Sequence, residues 1–329
     1  GPGEVRVNSS AWIKHVQEQH GLPLLHVDLE RSRVLLGLNG IREELTRPLP
    51  EPAVLSQALG HVEEYVNTVD HGQSPDAALA KSAMLEALLY VMSAPFAGEY
   101  MKRRRRAYGA VDTRGPRFLF IHGQSQNGKS TFLRFALRLL TGTHFLPLPG
   151  REFTRSKLLH ATALGTSFPV VFDDVLALHS SQGLEETLKS YWEVWWRADH
   201  AQPQVIISSN VRTLREWAKS RVKRVDFDVH FPPDERNKER LARIFEVENP
   251  LFGWFATSYL ALLHREPHVS DDELHVGRQA LRALYETAGR AVPAFFPHDP
   301  LERTYDPARQ DWHELFRWGK ARRRNEKGR

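Results

Sequence analysis

The chain has no cysteine among its 329 residues. Disulfides, thiolate metal sites and cysteine nucleophiles are excluded together. Long apolar runs are missing as well: none approaches the roughly 18 residues needed to cross a bilayer. The opening "GPGEVRVNSS" is polar, so no secretory signal is expected in it, and its Gly1-Pro2-Gly3 reads as a cleavage scar. The expectation is a cytoplasmic protein, cut from a longer one, with no membrane partner. The 16 histidines are scattered without HExxH or any other paired ligand spacing, so each reads as a core or surface residue. There is no internal repeat and no long low-complexity tract.

What is present suits a globular chain of one large domain or two ordinary ones, with 41% hydrophobic and 26% charged residues. The net charge is only +5, yet the basic residues cluster, as "KRRRR" at Lys102 to Arg106 and "KARRR" at Lys320 to Arg324. Such clusters suit a polyanion such as nucleic acid. A solvated linker and a frayed tail are the plainer alternatives.

Four regions follow from texture. Residues 1–53 are mixed, with short strands and a turn at Asn39-Gly40. Residues 54–110 read as a helical bundle or collar: Leu55, Leu59, Val62, Val66 and Val69 fall on one face, and a second helix over about 77–92 ends or kinks at Ala94-Pro95. Simple core packing is the favoured role there. Residues 111–233 alternate strand-like runs with helical segments, at 118–122, 131–140, 170–172, 184–197, 205–208 and 225–231. This alternation predicts an α/β fold with a mostly parallel sheet flanked by helices. Residues 234–329 read as a helical region with a basic tail, opened by Asp234 as an N-cap.

The chemistry concentrates in the third region. "FLFIHGQSQNGKSTFLRFALRLL" places Gly123, Gln124, Ser125, Gln126, Asn127, Gly128, Lys129, Ser130 and Thr131 between a strand and a helix, matching G-x-x-x-x-G-K-[ST] in the context it requires. Backbone N–H groups of such a loop hold phosphate oxygens, and glycine admits the close approach. Lys129 supplies charge to the β- and γ-phosphates, and the Ser130 hydroxyl is a Mg²⁺ ligand. "FPVVFDDV" ends a buried strand in Asp173 and Asp174. One carboxylate, Asp173, is expected to hold Mg²⁺ through its water shell, and Asp174 to orient or deprotonate the attacking water. "PQVIISSN" ends a further strand at Asn210, whose amide suits the γ-phosphate or that water. In "KSRVKRVDFDVHF", Arg221 and Arg224 precede an alternating strand and can point into a neighbouring subunit's site.

These four pieces, in this order and spacing, resemble the superfamily 3 helicases, AAA+-type motors of small DNA viruses, plasmids and phage or poxvirus-type primase-helicases. The resemblance covers roughly Arg117 to Phe231, about a third of the chain. It implies an AAA+-type P-loop core that binds ATP and Mg²⁺, Asn210 as a sensor, and Arg221, with Arg224 second, as the arginine finger. It further implies a ring, a hexamer being the expected size, that moves single-stranded DNA. A DNA-contacting element is expected between Asp174 and Asn210, where "LKSYWEVWWRADH" offers Lys189 or Arg197 among aromatics. The rival function is an ATP-driven switch or assembly module, in defence or signalling, that uses the same phosphate site without unwinding.

Overall fold

A computed structural model describes residues 8–109, 111, 114–176, 182–211, 220–265 and 269–301, for 182–185 by backbone alone. The Lys320–Arg324 cluster lies outside the described residues.

The amino-terminal region opens with helix α1 (Ser9–His20), then strands β1 (Leu24–Asp28), β2 (Arg33–Leu38) and β3 (Ile41–Glu44) in a small antiparallel sheet. The β2–β3 turn is the expected Asn39-Gly40. Both residues have positive φ (53° and 76°), as the tight hairpin turn that matches strand twist demands.

Helices α2 (Pro52–Asn67) and α3 (Ala77–Ser93) follow, each passing into a short 3₁₀ turn. Leu55, Leu59, Val62, Val66 and Val69 are all buried, which bears out the expected face. Pro95 sits in the 3₁₀ turn Ala94–Phe96, and the chain then resumes as α4 (Ala97–Tyr108). The stretch Ala77–Tyr108 contains an 18-residue window of mean hydropathy 1.3, apolar and long enough by composition to cross a membrane. Lys81, Ser82, Glu86 and Ser93 interrupt it, so it contains no unbroken apolar run of that length. In the fold 72% of that window is buried, as in a core helix.

The central sheet has the order β5-β6-β7-β4-β8 and every pairing is parallel. Its strands are β4 (Phe118–His122), β5 (Leu148–Pro149), β6 (Val170–Asp173), β7 (Val205–Ser209) and β8 (Val222–Asp226). Helices α5 (Lys129–Thr141), α6 (Arg155–Ala163) and α7 (Gln182–Ser190) connect them. Helices α8 (Glu235–Glu246), α9 (Leu251–Arg265) and α10 (His275–Thr287) complete the described chain. Asp234 caps α8 as expected, its carboxylate accepting from the Arg236 N–H.

One apolar cluster joins α2 and α3 to β4, α5, α9 and α10. The helices before the phosphate loop therefore share a core with it. A second cluster lies on the other face of the sheet, where Phe118, Phe120, Phe172 and Ile207 meet Tyr191 and Trp192. The "KRRRR" run lies on α4 and is largely spent inside the chain. Lys102 pairs with Glu99 at 2.6 Å, Arg103 donates to the Leu263 carbonyl, buried Arg104 pairs with Asp271 at 2.9 Å, and Arg105 donates to the Glu193 carbonyl at 3.1 Å.

Candidate nucleotide site

Parallel strands end together, so the loops after β4, β6 and β7 meet at one edge of the sheet. β7 lies between β4 and β6, which sets Asn210 between the phosphate loop and the acidic pair. The loop after β4 turns sharply: Gln126 and Gly128 have φ of 66° and 76°. No side chain caps α5, so its first-turn N–H groups face the loop mouth without a side-chain partner.

The outside of the loop is strapped by residues 227–231. The Asn127 amide donates to the Phe227 carbonyl, the Phe231 N–H donates to the Gln126 carbonyl at 3.0 Å, and the Phe231 ring covers Gly128. A Cβ on Gly128 would lie 3.0 Å from that ring, a tight contact, and the positive φ favours glycine there whatever the space.

Lys129 is 7% exposed and places all three donors: on the Gly123 carbonyl (2.6 Å), the Gln124 carbonyl (2.8 Å) and Asn210 Oδ1 (2.7 Å). Burial lowers its pKa, and the nearby Asp173 and Asp174 carboxylates oppose that shift. Asn210 in turn donates to Asp174 Oδ1 at 3.3 Å. Ser208 joins the two acids, donating to Asp173 Oδ1 (2.5 Å) and accepting from the Asp174 N–H (3.0 Å). Asp174 itself has φ 59°, a left-handed conformation uncommon outside glycine and held here by its neighbours.

Ser125 to Thr131, Asp173, Asp174 and Asn210 line a single cavity of about 590 Å³. Gly123 and Gln124 support it by presenting their carbonyls to Lys129. Ser130 and Asp173 lie on the same cavity, and Asp173 commits one oxygen to Ser208, leaving the other for a cation. This donor set fits Mg²⁺, which takes few protein ligands and is completed by phosphate and water. No cluster of three metal-ligating side chains occurs among the described residues.

Two expectations shift. The last strand begins at Val222, three residues before the predicted start, so Arg224 lies within β8, opposite Phe120, instead of ahead of it. Burial still alternates at Val225, Phe227 and Val229, which suggested a later strand. The ladder stops at Asp226 because its partner β4 ends at His122. Arg224 bonds to Asp226 at 2.8 Å and to His122 at 3.1 Å. The Asp226 pKa is lowered: burial raises it, but the His122 hydrogen bond and Arg224 outweigh that. Arg221 sits at the start of β8, its carbonyl accepting from the Phe118 N–H, and its guanidinium donates to Glu193 at 2.7 Å. Neither arginine lines the cavity.

The second shift concerns the aromatic stretch. The helix expected over 184–197 ends at Ser190, and turns follow. Tyr191 and Trp192 are buried, donating to the Pro203 carbonyl (2.7 Å) and to Gln204 Oε1 (3.2 Å). Lys189 is half-buried, and exposed Arg197 pairs with Asp199 at 2.9 Å.

Sequence reasoning missed the rest of the cavity wall. Tyr65, Thr68 and Met84 reach it from α2, the following 3₁₀ turn and α3, and Asn237, Arg240 and Leu241 from α8. No motif flags them. The one available signal is the i, i+3, i+4 spacing of Asn237, Arg240 and Leu241, which puts them on one helix face.

Comparison with known proteins agrees with this geometry. Residues 52–213 match the family model described as the Aq_aa27 P-loop NTPase domain. Residues 52–213, just under half of the chain, are thus similar to a P-loop NTPase domain, and the match takes in α2–α4 and strands β4–β7 but not β8. Among solved structures, the chain is similar to one titled SCCmec type IV Cch, active helicase, with 14% identity, 68% of this chain and 49% of that chain covered, and a TM-score of 0.33. The FIGL-1 AAA domain is another, with 17% identity, 71% and 85% covered, and a TM-score of 0.30. The chain thus spans about half the length of the Cch helicase. No curated protein matches by sequence.

Proposed function

We propose that this protein hydrolyses ATP with Mg²⁺ between the subunits of a ring, a hexamer by its resemblance to superfamily 3 helicases, and uses the energy to move single-stranded DNA. The observation that carries the hydrolytic reading is the chain of contacts from Lys129 through Asn210 to Asp174. It sets a cation for the phosphates, an amide and a carboxylate side by side on one cavity. Asp174, fixed in an unusual backbone conformation, is the group that orients the attacking water. Ser130 and Asp173 hold Mg²⁺, which neutralises charge on the β- and γ-oxygens when bound.

The intersubunit reading draws support from where the arginines lie. Arg221 is at the opposite end of β8 from the phosphate loop, about 16 Å away along five strand residues. It cannot serve its own site, and a neighbour's is the alternative. Its pair with half-exposed Glu193 is worth about 0–1 kcal/mol, a small cost to release. Arg224 is the second choice because Asp226 and His122 already engage it.

A second reading, the ATP-driven switch without unwinding, is favoured by the burial of Tyr191 and Trp192, which removes two stacking surfaces from the expected DNA-contacting stretch. Subunit mixing tests the intersubunit site. Arg221→Ala and Lys129→Ala are each expected to lose hydrolysis, with nucleotide binding kept in the former. Mixing the two proteins should restore part of the activity, since some interfaces then pair an intact loop with an intact finger. An Arg221→Ala protein that hydrolyses at the normal rate removes the assignment and transfers it to Arg224 if that variant fails.

A further inference from the structure

The cavity is larger than its phosphate loop requires. Its volume of about 590 Å³ falls in the range of small-molecule sites. The loop, the two acids and Asn210 occupy one side. The other is formed by residues outside the motifs: Tyr65, Thr68 and Met84, with Phe231, Asn237, Arg240 and Leu241. That side is apolar with a few polar groups and one cation, Arg240, a lining suited to a nucleoside beside its phosphates.

Tyr65 is the telling residue. It is 2% exposed, and its ring stacks on Phe135 of α5 at 3.8 Å and 3°, so it is held rigidly against the helix that begins at Lys129. Its phenol hydroxyl has no hydrogen-bond partner among the described residues, and burial alone pushes its pKa well above the usual range. Tyr65 lines the cavity, so a hydroxyl with no partner in the fold is free to bond to a polar group that fills it. Beside it, the Thr68 hydroxyl donates to the Tyr65 carbonyl at 2.7 Å, which leaves its oxygen lone pairs to accept.

We propose that Tyr65, with Thr68 and Met84, forms the nucleoside-binding wall of this site, reading a polar edge of the base or ribose through the Tyr65 hydroxyl. The inference rests on the nucleotide reading above and deepens it. The helices before the P-loop, which sequence patterning assigns to packing, then decide that the ligand is a nucleotide and not an inorganic polyphosphate.

Calorimetric titration of the full chain with Mg²⁺ and either ADP or pyrophosphate tests this, because the two ligands share their phosphates and differ by the nucleoside. Tyr65→Phe keeps the stacked ring and is expected to weaken ADP about five- to tenfold, the loss of one hydrogen bond, with pyrophosphate unchanged. Leu241→Trp, on half-buried α8, narrows the opposite wall and should do the same without touching Tyr65. The inference is overturned if Tyr65→Phe binds ADP as tightly as wild type, or if it weakens both ligands equally, the mark of a structural role. If the wild type binds pyrophosphate but gains nothing from the nucleoside, the wall falls while the phosphate loop stands. If it binds neither ligand, the phosphate-site reading itself fails.

Discussion

Two buried lysines in this fold carry the same charge for different purposes. Lys129 opens α5 with its donors on two loop carbonyls and an amide, and no carboxylate among the described residues touches it. Lys223, in β8, is fully buried and meets the Glu86 carboxylate at 2.5 Å, and Glu86 also binds Arg278 at 3.0 Å. Arg278 is balanced in turn by Asp272. The second group is compensated within the chain and ties α3, β8 and α10 together. The first faces a cavity with its charge unmatched by direct contact, ready for an anion. Burial alone does not mark a functional cation. Its compensation does.

The comparison can be broken from either side. The largest effect is expected from Lys129→Ala, which should abolish nucleotide binding in a calorimetric titration. Its thermal midpoint should stay level or rise, because burial penalises that charge in the folded state. A variant that binds and turns over normally would return Lys129 to the class of structural lysines. Glu86→Gln should have the reverse profile. It strands Lys223 and Arg278 in the core, and breaking such a buried group costs about 3–5 kcal/mol. Denaturant unfolding should show that loss, while the fraction that remains folded binds nucleotide with wild-type affinity. An unchanged unfolding midpoint would mean the trio adds nothing to the fold.

How much of this was legible beforehand depends on the kind of constraint. Phosphate chemistry needs glycine, lysine and hydroxyl at fixed spacing, followed by acids and an amide at strand ends. Gly123 to Thr131, Asp173, Asp174 and Asn210 could therefore be picked out from order and residue type, and the fold gathers them at one sheet edge. The parallel sheet and the Asn39-Gly40 turn were legible for the same reason, as local patterns with a physical cause. Positions decided by distant partners were not. The start of β8 depends on where β4 begins and ends, and the end of α7 on how Tyr191 and Trp192 enter the core. The "KRRRR" run looks like a polyanion surface until Leu263, Asp271 and Glu193 claim its side chains. Tyr65 belongs to the same class: it reads as helix packing because nothing in its own segment reveals that a phosphate loop starts more than fifty residues later.

The central claim is that hydrolysis requires a neighbouring subunit and is harnessed to DNA. Steady-state ATPase rate, measured across protein concentration with and without single-stranded DNA, tests it most directly. The account predicts a rate per chain that climbs steeply as the protein assembles and climbs further when the strand is added. A rate that rises with protein but ignores DNA would select the switch over the motor, and a rate per chain independent of protein concentration would contradict the shared site.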